Sequence, residues 1–200
     1  MNITEDQARE VLGPYQGDIR SCIVSAWTDY HDHCREIKHI LTTRSRASII
    51  FDFIVHNIGQ KFQGRRNIFI SNKKRLFLVN FENKVIIRFK KLKHNRASCI
   101  PTQQTLDFFR QVEIPGIPTP ERFVVGYQLN HMQTEINSIS VVYPQDPNQN
   151  YWAYDLEPME AKILEYQLEQ VTIEQEITKE ERIIIKNNTG VGEMSNEQGS

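Results

Sequence analysis

Apolar positions recur at three- and four-residue intervals over the first sixty residues and at alternate residues through the middle of the chain. Helices are therefore expected first and strands after them. Thr4 is placed to cap a short helix over Glu5–Leu12, which Gly13-Pro14 ends. A longer helix is predicted over about 18–40, with Ile19, Cys22, Ile23, Ala26 and Trp27 at helical spacing. A third is predicted over about 46–62, where Ile49, Ile50, Phe53, Ile54, Val55 and Ile58 surround most of the axis and call for burial.

From residue 67 the period changes. Residues 67–71, 75–81 and 84–92 are strand-like runs separated by short polar turns, which predicts an antiparallel meander. In the second run both Leu76/Leu78 and Phe77/Val79/Phe81 are apolar, as for a strand covered on both faces. In the third, Val85, Ile87 and Phe89 alternate with Arg88 and Lys90, beside Ile86. Pro101 and Thr102 open a predicted amphipathic helix through Gln111, and the proline-rich run Ile114 to Pro120 predicts a stiff loop. Three further strands are expected over 122–129, 138–143 and 151–156, then a helix starting at Pro158.

These elements make an α+β fold: N-terminal helices on a mostly antiparallel sheet of about six strands, with a C-terminal helix. The expected divisions are a helical extension over 1–43, an α+β core over 44–157, an acidic helix over 158–186 and a disordered tail over 187–200.

Charge changes the picture more than composition does. Net charge is −1, yet residues 61–96 hold twelve Lys or Arg against the single acid Glu82, while residues 97–200 carry a net −10. Such a layout points to a face for an anionic partner, or to a basic surface covered by the chain's own acidic part. Three scattered cysteines (Cys22, Cys34, Cys99) argue against a disulfide framework and for a reducing compartment. With a polar start and no apolar run long enough for a bilayer, the expectation is a cytoplasmic protein without stable membrane insertion.

Candidate chemistry centres on the basic strand and the loop after it. Arg88 and Lys90 share a strand face, and Lys91, Lys93, His94, Asn95 and Arg96 follow, a set suited to phosphate oxygens. Ser48, Asp52 and His56 are spaced by four on the third helix. With Arg46 they predict a polar cleft rather than a hydrolase triad, because the acid sits in the middle. The run Asp29 to Cys34 uses metal-ligand residue types, but no second cluster completes a set, so no metal is expected. Glu82-Asn83-Lys84 matches a short nuclease signature, but at a hairpin turn and without an acid on the preceding strand. There is no P-loop, dinucleotide-binding glycine pattern or paired CxxC, and no cofactor is expected.

Several segments between Arg44 and Leu156 resemble, as a unit, a bacterial family carried on mobile elements. They are Ser45-Arg46-Ala47-Ser48-Ile49-Ile50, Arg88-Phe89-Lys90-Lys91-Leu92 with Asn95, Ile100-Pro101-Thr102-Gln103-Gln104, Ile114-Pro115-Gly116-Ile117-Pro118 and Gly126-Tyr127-Gln128-Leu129. Members of that family neighbour a helix-turn-helix protein with an ImmA/IrrE-like metallopeptidase domain. The arrangement is similar to the RosmerTA type of anti-phage toxin–antitoxin pair, with this chain in the toxin position. The resemblance implies a toxin or effector held inactive by a cognate antitoxin-like partner, and it carries no catalytic residues. A non-catalytic nucleic-acid-binding accessory protein and a nuclease without a visible site stay open beside it.

Overall fold

The computed structural model describes residues 3–73, 76–96, 120–146 and 149–158. Nearly all of them belong to the first of two units into which the chain divides, Met1–Glu157. The expected helix from Pro101, most of the proline-rich loop, the C-terminal helix and the tail lie outside the described residues.

Among the described residues three α-helices precede six strands. Helix α1 (Glu5–Leu12) opens with a reciprocal cap: the Thr4 hydroxyl accepts from the Gln7 amide, and the Gln7 side chain accepts from the Thr4 amide. A single 3-10 turn, Gly13–Tyr15, leads into α2 (Gln16–His33). The expected helix to residue 40 stops at His33 instead, since every residue from Arg35 to Ile40 is exposed and no apolar face remains to hold another turn. Helix α3 (Thr43–Phe62) begins three residues earlier than its periodicity suggests, because the Thr42 side chain caps it by accepting from the Ser45 amide.

Helices α2 and α3 pack as an antiparallel pair. Asp18 reaches Lys61 at 3.0 Å and Arg65 at 2.8 Å, and further along Cys22 and Asp29 meet Asn57. Burial alone would push the Asp18 carboxyl up, but its bonds to Lys61 and Arg65 outweigh that and hold it below the ordinary carboxylate value. The resulting stability is fully present above about pH 4 and is lost as pH falls through the depressed folded-state value. Asp18→Asn is expected to cost about 1 kcal/mol at neutral pH, both cationic partners being half-exposed. Urea unfolding should show that difference at pH 7 and a progressively smaller one as the pH is taken down through the depressed value.

The strands are β1 (Ile68–Lys73), β2 (Leu76–Phe81), β3 (Val85–Lys91), β4 (Glu121–Leu129), β5 (Ile136–Pro144) and β6 (Asn150–Asp155). They form one sheet in chain order, antiparallel throughout except for the β3–β4 pair, which is parallel. Two meanders thus meet side by side. Between β2 and β3 a tight turn places Glu82 and Asn83 at φ of 54° and 55°, the left-handed conformation that twisted hairpins favour.

One sheet face, with Val79, Phe81, Ile87, Phe123, Val125 and Val141, shares a continuous core with Ala8, Leu12, Ile19, Ile23, Ile54, Ile58 and Phe62 from the helices. The helices within residues 1–43 are therefore built into the same core as the sheet. The other face carries Leu76, Leu78, Ile86, Leu92, Val124 and Val142. Buried Arg88, Arg122, Gln128 and Ser140 stand among them.

After β3 the chain turns across this second face. The Leu92 amide donates to the Tyr127 carbonyl, the Gln128 side chain donates to the Lys93 and His94 carbonyls, and Arg96 reaches the Ala153 carbonyl and Asp155 on β6. A parallel pair needs a crossover, and this segment is its first stretch. Gly126 makes the crossing possible, because a Cβ there would lie 2.3 Å from the Lys90 carbonyl oxygen and 2.6 Å from Leu92 Cγ.

Candidate anion-binding site

The β2–β3 ladder is short. Val79, Asn80 and Phe81 pair with Ile87, Ile86 and Val85, and there the register ends. Beyond it β2 stays with β1 down to Leu76↔Lys73, while β3 stays with β4 up to Lys91↔Tyr127. The sheet therefore forks, and the N-terminal half of α3 lies against the opening.

A cavity of about 680 Å³ occupies this fork. From α3 it is lined by Thr43, Arg44, Ala47, Ser48, Phe51 and Asp52, adjacent pairs repeating every four residues and hence one stripe of the helix. The strands contribute Leu76 and Phe77 on one prong and Arg88, Phe89, Lys90 and Lys91 on the other. Phe77 and Phe89 meet across the fork with ring centroids 6.1 Å apart.

Among the described residues that line it the charge is lopsided: four are cationic, and one, Asp52, is a carboxylate. Arg88 is only 8% exposed, and burial pulls its guanidinium down to about 10, so it remains charged at neutral pH. A retained buried cation, two lysines beside it and the first turn of a twenty-residue helix all favour negative charge. Chemically the site suits a phosphate or carboxylate carrying an apolar or planar body.

The structure separates the sequence-predicted residues. Arg88, Lys90 and Lys91 line the cavity, and Lys91 also donates to Gln133 at 3.3 Å. Lys93, Asn95 and Arg96 sit on the crossing segment instead. There Lys93 and Asn95 offer backbone carbonyls to Gln128 and Asn150, and Arg96 is ion-paired to Asp155 at 2.8 Å. Of the expected polar cleft Ser48 and Asp52 line the cavity, and Arg46 and His56 do not. Arg46 is half-buried on the side of α3 towards Tyr30, its Nε without a hydrogen-bond partner, and His56 is exposed one turn beyond Asp52.

Phe77 and Phe89, aromatic rings on the basic meander that could offer stacking surfaces, do line the cavity, whereas Arg44 and Phe51 are lining residues that the sequence pattern did not single out. Extending the Ser48–Asp52–His56 stripe back by one turn would have found Arg44. The run from Asp29 to Cys34 is occupied structurally: Asp29 accepts from Asn57, and His31 packs edge-on against Trp27. Among the described residues no three His, Cys, Asp or Glu side chains converge as for a metal ion.

A second cavity, of about 590 Å³, gathers Glu10, Glu82, Lys84 and Glu121 at the opposite end of β3. Glu121 enters because β4 pairs with β3 in parallel, Val85 facing Glu121. Glu82 and Glu121 already accept from Tyr15 and Tyr143 respectively.

No family model matches the chain, nor does any curated protein or solved structure. No helix among the described residues is long and apolar enough to cross a membrane.

Proposed function

We propose that this chain is the effector of a toxin–antitoxin-like pair and works by engaging phosphate-bearing nucleic acid at the forked end of its sheet. The observation that supports this reading most is the cavity, where Arg44, Arg88, Lys90 and Lys91 line an aromatic-walled space with a single acid among the described residues. Multiple cations on rigid elements bind polyanions with a strong salt dependence. The RosmerTA-like resemblance supplies the context, with a helix-turn-helix, ImmA/IrrE-like partner holding the effector in check.

The test is controlled expression in a bacterial host of the wild type beside Arg44→Ala/Lys90→Ala, matched for soluble protein. Those two positions are preferable to Arg88, whose burial makes its removal a structural change as well. The wild type should arrest growth and the variant should not. With purified protein the variant should bind single-stranded nucleic acid more weakly, and the slope of log affinity against log salt should fall by about 2, one unit for each phosphate contact removed. Healthy growth with abundant folded wild-type protein would overturn the effector role. Salt-independent binding, or none, would overturn the nucleic-acid role.

A further inference from the structure

We propose that the fork cavity receives one nucleotide unit lengthwise, its phosphate among the β3 cations and Arg44 and its sugar or base towards Asp52. The inference rests on the reading of the cavity as a phosphate site and adds what occupies the rest of it.

The charge pattern along α3 carries it. Arg44 and Asp52 lie on one stripe, eight residues and hence about 12 Å apart along the axis. At that spacing they cannot neutralise each other, and neither forms an ion pair among the described residues. A ligand that is anionic throughout would leave a carboxylate facing its own charge, which costs affinity. A ligand with an anion at one end and hydroxyl or amino donors at the other satisfies both ends. A nucleoside phosphate has that polarity and can span that distance, whereas inorganic phosphate cannot.

Shape points the same way. The volume falls in the range of pockets that enclose a single small ligand. The half-buried Phe51 and the Phe77 ring give the space between its charged ends an apolar wall, suited to a sugar face or a base. A base paired within a duplex presents neither its face nor its full edge, so a unit drawn from a polymer has to be unpaired or extruded.

The test is calorimetric titration of the full chain with the four ribonucleoside 5′-monophosphates, the parent nucleosides, inorganic phosphate, and an oligonucleotide as single strand and as duplex. At least one monophosphate should bind about tenfold tighter than either inorganic phosphate or its own nucleoside. Asp52→Asn should remove about tenfold from nucleotide affinity without weakening inorganic phosphate, and Arg44→Ala should weaken both. Tighter binding of the single strand than of the mononucleotide would support a polymer source; equal binding would support a free nucleotide.

The inference is overturned if inorganic phosphate binds as well as every monophosphate, or if Asp52→Asn strengthens both alike. It is also overturned if the duplex binds as tightly as the single strand. Each of these would leave the phosphate site standing. Absence of binding by every phosphate-bearing probe would overturn both readings together.

Discussion

Gly126→Ala should lower the unfolding free energy by about 3 kcal/mol, because one added carbon has nowhere to go. Its Cβ would sit 2.3 Å from a backbone oxygen on β3 and 2.6 Å from Leu92 Cγ, both well inside van der Waals contact. The Lys90 carbonyl belongs to a strand held in register from Val85↔Glu121 to Lys91↔Tyr127, so relief requires β3 and β4 to separate. Leu92 in turn begins the segment that crosses the second sheet face and is tied to β6 through Arg96. In a unit of this size the loss should lower the melting temperature by roughly 6–12 °C. Gly59→Ala is the natural comparison: that glycine lies inside α3, nothing comes within 4 Å of its added carbon, and the change should stabilise by about 0.5–1 kcal/mol. Equal and small effects at the two positions would mean that the close approach at Gly126 does not constrain the sheet.

Because Gly126 pairs with Lys90, its replacement also disturbs the site from behind. Displacing the end of β3 moves Arg88, Lys90 and Lys91 relative to the α3 stripe. Phosphate affinity should therefore fall in Gly126→Ala even at temperatures where the protein stays folded.

The local part of this architecture was legible in the sequence and the non-local part was not. Thr4 as a cap, the apolar circumference of α3 and the alternation of Val85, Ile87 and Phe89 are short-range signals, and each element they predict is present. The early end of α2 depends on what its last turns would have packed against, and there Ile37 and Ile40 are exposed (Ile40 by 69%). Adjacent meanders could have met in several ways; the parallel β3–β4 pair is set by a long connection, on which periodicity is silent. The fork has the same origin. Apolar alternation runs unbroken through Leu76–Phe81 and Val85–Lys91, yet the ladder between them stops at Val79↔Ile87. Arg88 and Asp52 were each noticed as polar residues in apolar runs, but only the fork brings them to one cavity. Asn95 and Arg96 had the right chemistry and a different place, drawn across the sheet towards β6.

Two phenylalanines on the same core, Phe62 and Phe89, should separate stability from binding. Phe62 is fully buried beneath Phe81 and Tyr15, with ring centroids 5.6 Å and 6.4 Å away, and Phe62→Ala leaves a sealed void costing about 4 kcal/mol. Phe89 is 1% exposed and also lines the fork. The space vacated in Phe89→Ala joins the existing cavity, where water can enter, so its cost should be nearer 3 kcal/mol. The sharper distinction comes from ligand. A nucleoside monophosphate bound only by the folded state raises the melting temperature in proportion to the logarithm of its concentration over its dissociation constant. Phe62→Ala should melt earlier yet keep the full ligand-induced rise, whereas Phe89→Ala, with its ring neighbour Phe77 unsupported and the cavity enlarged, should lose most of it. An undiminished rise in Phe89→Ala would remove the aromatic wall from the site and leave the cations to bind phosphate alone.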